Sequence, residues 1–278
     1  MAAGVFVAVV AAAMLHAVWN AIAKGIPDHT VTAGLLGAAA LAPAAVGVVV
    51  LPVPDPDSWP YIAGSSVPST CYLFLLVRAY KHGEFGQVYP LARGLPPVLV
   101  TLFASTVLSE RLSAGQLLGV VLISTALCAL VFAGRSSIGT AGLGYAVATG
   151  AMIAAYTIVD GLGVRASGHA LSYAAWRFLI EGILAVTISR ALFGAGFWRA
   201  ARKAAGPGLL GGLLGVAGFT TVLWAQSRAP LALVSAVRET SLLFAGVIAT
   251  LVFRERFSAT RAVATVVAVI GIVLLQAA

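Results

Sequence analysis

Charge is what this 278-residue chain has least of. Nine acidic and 17 basic side chains make up 9% of it, against roughly 25% in an average soluble domain. So few charges cannot cover a water-soluble fold of this length, which excludes a soluble two-domain enzyme and a disordered chain. Cysteine is nearly absent. Cys71 and Cys128 both fall inside apolar runs, where they read as inert core residues rather than a disulfide, redox pair or metal site. There is no Gly-x-x-x-x-Gly-Lys-[Ser/Thr] loop for ATP and no His-Glu-x-x-His for a metalloprotease. No second histidine inside a hydrophobic run could partner His16 in a serine-protease relay. The net charge of +8 is not gathered into a basic face, so nucleic acid is not an expected partner. Residues 1–10 carry no Lys or Arg and no convincing cleavage site follows, so the first hydrophobic run reads as a retained span rather than a signal peptide.

What the chain has in abundance is hydrophobic residues, 60% of the total, in runs such as Gly4–Ala23 and Gly115–Ala133 that are long enough to cross a bilayer as helices. Proline, glycine and charge punctuate them into ten expected spans: 4–24, 31–51, 60–80, 85–108, 114–133, 139–161, 170–192, 207–226, 231–253 and 259–276. The reading is an all-α polytopic membrane protein, with the bilayer as its main partner and no extramembrane domain.

The chain repeats itself. Ser109-Glu110-Arg111-Leu112-Ser113-Ala114 recurs as Arg254-Glu255-Arg256-Phe257-Ser258-Ala259, and the same offset of 145 lays Arg93 on Arg238. A weaker match pairs Trp19-Asn20 with Tyr156-Thr157. Residues 1–134 and 139–278 are thus expected to be two five-helix repeats. An odd number of spans inserts the second copy upside down, an arrangement frequent in secondary transporters. Loops after odd spans hold eleven basic residues (Lys24, Arg78, Lys81, Arg135, Arg190, Arg199, Arg202, Lys203, Arg254, Arg256 and Arg261), while those after even spans hold only Arg111, Arg165 and Arg228. By the positive-inside rule both termini are expected outside, in the inner (cytoplasmic) membrane of a cell.

Six ionisable residues fall within spans: Arg93, Arg177, Arg238, Asp160, Glu181 and Glu239. At a helix centre each costs about 2.5–3.5 kcal/mol on insertion scales, so each needs a partner or a wet cavity. Arg177 and Glu181, four apart, are expected to pair locally. Asp160, close to Arg165, reads equally as a boundary residue or a site. Arg93 and Arg238 are repeat mates, and Glu239 points about 100° from Arg238, so it can reach Arg93 in a structural pair or as part of a site. His16, Trp19, Asn20 and Lys24 share one face of the first span and are expected to line a cavity. Tyr89, Tyr156 and Trp224 are candidate aromatic walls. Gly115/Gly119, Gly208/Gly212, Gly211/Gly215 and Ala264/Ala268 mark close helix packing, within the chain or, through the fifth and tenth spans, in a homodimer. Pro90, Pro96 and Pro97 around Gly94 are expected to break the fourth span at mid-membrane.

The strings His16-Ala17-Val18-Trp19-Asn20 and Tyr89-Pro90-Leu91-Ala92-Arg93-Gly94 with Pro96-Pro97, together with the twin Glu-Arg turns, resemble the EamA family of the drug/metabolite transporter superfamily over essentially the whole chain. The resemblance implies a basket of ten helices, a central cavity lined mainly by spans one, three, four, six, eight and nine, and alternating access. Its strings look like a branch associated with phosphonate-use gene clusters, which implies anionic or zwitterionic substrates. Small four-helix relatives couple protons through a first-helix glutamate, but here the first span offers His16 and no acid. Some family members place their termini inside the cell.

The expected function is therefore secondary or facilitated transport of a small polar metabolite, with no enzyme activity and no cofactor. A proton-coupled exporter of drugs or amino acids is the alternative. The expected substrate site is His16, Trp19, Asn20, Tyr89, Arg93, Tyr156, Trp224, Arg238 and Glu239, with His16, Asp160, Glu181 and Glu239 as groups able to carry a coupling proton. The chain is expected to be a monomer or a homodimer.

Overall fold

The computed structural model describes residues 1–129, 139–254 and 259–277. Arg135, the Glu255-Arg256 turn and the last residues expected in the fifth span lie outside them. The described helices are α1 (Ala3–Gly25), α2 (His29–Val50), α3 (Trp59–Lys81), α4 (Phe85–Thr106), α5 (Ala114–Ala129), α6 (Thr140–Ala166), α7 (Ala170–Phe193), α8 (Phe197–Lys203), α9 (Ala205–Gln226), α10 (Leu231–Arg238), α11 (Ser241–Leu251) and α12 (Ala259–Ala277). No strand occurs among the described residues. Among the described residues, eight stretches are long and apolar enough to cross a membrane, one of them Leu231–Leu251, made of α10 and α11 together; Ala114–Ala129 and Ala262–Leu275 are apolar but shorter.

Local chemistry starts and stops these helices. Asp28 accepts the Val31 N–H at 2.9 Å to cap α2, and His169 Nδ1 accepts the Ser172 N–H at 3.2 Å to cap α7. Ser113 and Gln116 form a reciprocal capping box at α5: the Ser113 hydroxyl accepts from the Gln116 N–H at 3.1 Å and the Gln116 side chain accepts from the Ser113 N–H at 3.0 Å. Gly194, at φ +80°, ends α7 in a conformation open to glycine.

The burial pattern is the reverse of a soluble protein's. Arg238, Asp160 and Glu239 are 0%, 0% and 1% exposed, whereas Val49 and Leu251 are 82% and 74% exposed. An outer surface of aliphatic side chains around buried charge is what lipid as solvent selects. The chain is a polytopic helical membrane protein.

Three details depart from the sequence-based expectation. The stretch between the seventh and eighth spans, expected as a loop, contains α8. Phe197 and Ala201 of α8 are buried with Val31 and Leu35 of α2, while Arg199, Arg202 and Lys203 face outward. The fourth span is not broken: α4 runs continuously through Pro90, Pro96 and Pro97. Its neighbours hold it. A Cβ on Gly150 of α6 would lie 3.0 Å from the Ala92 carbonyl, one that Pro96 leaves without its helical donor, and Gly94 faces Leu127 and Cys128 of α5. The break falls instead in the ninth span, where no proline occurs. There the Glu239, Thr240, Leu242 and Leu243 amides bond the third residue back at 2.9–3.1 Å, a tight 3₁₀ turn between α10 and α11.

Small residues set the helix crossings. Gly119 of α5 and Gly271 of α12 face each other so closely that a Cβ on either would lie 2.7–2.8 Å from the other's carbonyl. Gly37 and Gly182 let α2 and α7 approach closely, a Cβ on Gly182 lying 2.8 Å from the Gly37 carbonyl and one on Gly37 2.5 Å from the Ala185 Cβ, and Gly208 and Gly212 of α9 receive Leu35 and Ala39. The Gly119 face is thus filled within the chain by α12. Gly119→Val is expected to lower stability by about 1–3 kcal/mol through overpacking. Gly246→Ala, with nothing within 4 Å of the new Cβ, is expected to leave the melting temperature unchanged or slightly raised. Thermal unfolding monitored by fluorescence in detergent checks both.

Candidate functional site

Within α1 the polar face divides its work. The Asn20 amide donates to the His16 carbonyl at 2.7 Å and accepts the Tyr80 hydroxyl at 2.7 Å, and Lys24 donates to the Gly83 carbonyl at 2.8 Å and to that of Tyr80. These two residues tie α1 to α3. His16 donates from Nδ1 to the Ala12 carbonyl at 2.9 Å, which leaves Nε2 as its acceptor. His16 and Trp19 border a cavity enclosing about 580 Å³, mouth included. Its walls come from α1, α2 (Leu36, Gly37, Ala40), α3 (Tyr72, Leu73), α6 (Tyr156), α7 (Arg177, Phe178, Glu181) and the glycine-rich face of α9 ending at Phe219. The spans bordering this cavity are therefore one, two, three, six, seven and eight, whereas the family resemblance implied four and nine in place of two and seven.

Two charged clusters flank it. In the first, Arg93 Nε donates to Glu239 Oε2 at 2.9 Å and Arg93 Nη2 donates to the Arg238 carbonyl at 3.2 Å. Arg93 stands about 12 Å along α4 and Arg238 about 10 Å along its own span from their first residues, at 1.5 Å per residue. The Arg238 side chain is different from every other: it is fully buried, and its Nε, Nη1 and Nη2 have no partner among the described residues. Oε1 of Glu239 and the Thr240 hydroxyl beside it are likewise unpartnered. In the second cluster, Arg177 donates from Nε to Asp160 Oδ2 at 3.1 Å and from Nη1 to Glu181 Oε2. Asp160 also accepts the Tyr173 hydroxyl at 2.9 Å. The Arg177 guanidinium lies 4.6 Å from the Phe219 ring centroid and 4.9 Å from that of Phe178. Asp160 is thus no boundary residue and does not meet Arg165, which bonds Glu110 at 3.3 Å instead.

Formal charges sum to +1 in the first cluster, with two arginines and one glutamate, and to −1 in the second, with one arginine and two acids. Tyr72 and Tyr156, edge to face at 5.4 Å, stand between them, within electrostatic reach of Arg93 and Arg238. His16 feels the same two arginines. Of the three acids in these clusters Glu181 is the least enclosed, 13% exposed at its side chain, whereas the side chains of Asp160 and Glu239 are 0% exposed.

Of the expected site residues, His16, Trp19 and Tyr156 meet at the cavity, and Arg93, Arg238 and Glu239 meet behind it. Tyr89 packs on Phe85, its ring 6.0 Å from Arg93, and Asn20 is held by Tyr80. Trp224 lies apart, under Arg228 at 5.1 Å. Sequence reading missed Tyr72, Phe178 and Phe219. For Tyr72 a signal existed, since Ser65, Ser66, Ser69 and Thr70 make the third span unusually rich in hydroxyls.

The two arginines of the first cluster predict opposite stability effects. Arg93→Met strands Glu239 and is expected to cost about 3–5 kcal/mol, whereas Arg238→Met removes an unpaired buried charge and is expected to stabilise by about 1–4 kcal/mol. Denaturation midpoints of the two variants in the same detergent check this. Equal signs would mean that Arg238 is paired.

No curated protein matches the chain. A solved structure, described only as a crystal structure of protein, shares the fold at TM-score 0.72 and 18% identity, over 100% of this chain and 98% of its own. Residues 140–276, the second half, match the model of the EamA-like transporter family. With its buried charges gathered around a cavity inside a helical membrane fold, the chain belongs to that family of transporters.

Proposed function

We propose that the chain is a secondary carrier, and no enzyme, that moves a small zwitterion across the cytoplasmic membrane by alternating access between two inverted five-helix repeats. The observation that carries the substrate class is the Arg238 guanidinium, buried with no hydrogen-bond partner among the described residues, in a net-positive cluster behind the cavity whose wall carries Arg177 and Glu181 of the net-negative one. Arginine keeps its charge in such a setting and offers a planar fork for a carboxylate or another oxyanion. In this reading the substrate's anionic group takes Arg238 once the Tyr72–Tyr156 pair parts, and its ammonium group takes the open side of Glu181. His16 and Trp19 form the wall between. A proton is the coupling ion that fits Glu181, because proton and ammonium group would compete for one carboxylate.

The repeat reading has structural support beyond the sequence offset. Ser109 and Arg254, which are repeat mates, share a left-handed backbone at φ 55° and 53°. Lys24 bonds the Tyr80 and Gly83 carbonyls, and Arg165 bonds those of Gln226 and Ala229 at 3.0 and 2.9 Å, with both acceptors shifted by 146 residues. Packing follows the same rule: α3 lies on α6 as α1 lies on α9, while α2–α7 and α5–α12 are their own images. On this reading α5 and α12 complete ten spans, and the basic loops put both termini outside. A C-terminal alkaline phosphatase fusion is then active and a C-terminal fluorescent fusion dark.

The substrate reading is tested by thermal shift over a metabolite panel, followed by uptake into liposomes. A free amino acid or aminophosphonate should stabilise the protein, while its N-acetyl and its amide or ester derivatives should each lose at least tenfold in affinity. Arg238→Lys keeps the charge and loses the fork, so it should weaken binding strongly, and Glu181→Gln should abolish the response to a pH gradient. Wild-type transport by both Arg93→Lys and Arg238→Lys would sink the proposal.

A further inference from the structure

A second cavity lies apart from the one between the charged clusters. It is a cleft enclosing about 1080 Å³, mouth included, where the end of α3, the start of α2, the end of α7 and the first turns of α6 converge. Its rim is basic. Arg78 and Lys81 are exposed on consecutive turns of α3, and neither has an ion-pair or hydrogen-bond partner among the described residues. His82 stacks on Tyr145 at 5.4 Å and 16° to form a flat wall, and His29 turns a buried, unpartnered Nδ1 into the same region. The lining holds one acid, Asp28, and one of its oxygens already accepts the Val31 N–H.

The cleft changes character with depth. Phe74 stands seven residues before Lys81, about 10 Å further along the helix axis, and with Val77 it makes the inner part of the α3 wall apolar, while Leu192, near the end of α7, adds an exposed apolar side chain at the mouth. A soluble anion would use the rim and leave the apolar wall wet. An amphiphile fills both. All the helix ends that form the cleft lie on the side where the odd-numbered loops gather their positive charge, and anionic lipid headgroups concentrate at such a face.

We propose that this cleft binds an anionic phospholipid, its phosphate held by Arg78 and Lys81 at the rim and the first carbons of its acyl chains lying along Phe74, Val77 and Leu192. The site is separate from the cavity of the proposed carrier function and stands or falls without it. Basic clefts between membrane helices gain about 1 kcal/mol per Lys or Arg from such headgroups, enough to select one lipid class over another.

The test uses the full chain in a neutral maltoside detergent, titrated with short-chain phosphatidylglycerol, phosphatidylcholine of the same chains, and glycerol phosphate without chains. Phosphatidylglycerol is expected to raise the melting temperature saturably, and the other two are expected to do so weakly or not at all. Arg78→Gln with Lys81→Gln should raise the half-saturating concentration on the order of thirtyfold, and Arg78→Lys with Lys81→Arg should restore it. Native mass spectrometry of the wild-type chain in equimolar mixed lipid, which needs no variant, should show phosphatidylglycerol retained over phosphatidylcholine. Equal binding of phosphatidylcholine would overturn the proposal, as would equal stabilisation by glycerol phosphate, which would mark a soluble-anion site. So would wild-type affinity in the double glutamine variant.

Discussion

Hydrocarbon offers a charged side chain nothing to bond with, and the interior of this protein is arranged around that constraint. Three arginines and three acids lie within its spans, each costing a few kcal/mol to place there. Arg177 answers the constraint fully, bridging Asp160 and Glu181 while aromatic rings cover its face. Arg93 answers it with Glu239. Arg238 does not: Arg93 holds Oε2 of Glu239, and neither the Arg238 guanidinium nor Oε1 of Glu239 has a hydrogen-bond partner among the described residues. A side chain retained in an unfavourable state amid otherwise matched partners is the kind of local inconsistency that function leaves in a fold.

The rest of the packing holds these clusters in place. Glycines at Gly37, Gly182, Gly208 and Gly212 bring α2, α7 and α9 close together, so the polar faces of α1, α6 and α7 meet across a narrow gap. Asn20 and Lys24 fasten α1 to α3, and Glu110 accepts the Leu231 N–H at 3.0 Å, which fastens the turn after α4 to the start of α10. These tethers run between the two halves of the chain as well as within them. The cavity is therefore a product of the interface between halves rather than of either half.

Much of this was legible in the sequence because lipid imposes a one-dimensional code. Apolar run length and basic loop residues located the helices, and the adjacency of Arg238 and Glu239 was enough to suggest that Glu239 reaches Arg93. What the sequence could not reveal was helix rotation. A span that is apolar nearly all round does not say which face turns inward, so the contribution of α2 to the cavity is not legible in the sequence, and the Arg177–Glu181 pair of α7 reads as local pairing rather than as a cavity wall. Asp160 reads from the sequence equally as a boundary residue or a site, because its partner Arg177 lies across the turn on the next helix. The prolines of α4 predict a helix break there, yet α4 is continuous, with α5 and α6 packed closely on it. The actual break at Glu239–Thr240 has no proline to announce it. It occurs where a buried acid held by Arg93, a threonine and a serine follow one another.

That break makes the two halves unequal in stiffness. The α4 rod is continuous, whereas its counterpart is two short rods joined at a flexure, with the outer rod seated on Glu110 and the inner one packed against α1. In a carrier built on this frame, bending one rod displaces Arg238 against Arg93 without a matching displacement from the other side, so the inward-facing and outward-facing forms are not mirror images. Detailed balance still fixes the ratio of the two directional efficiencies, but the half-saturating concentrations on the two faces of the membrane are then free to differ. A carrier of two nearly matching halves would thereby work unequally in its two directions when the solute pools on the two faces differ.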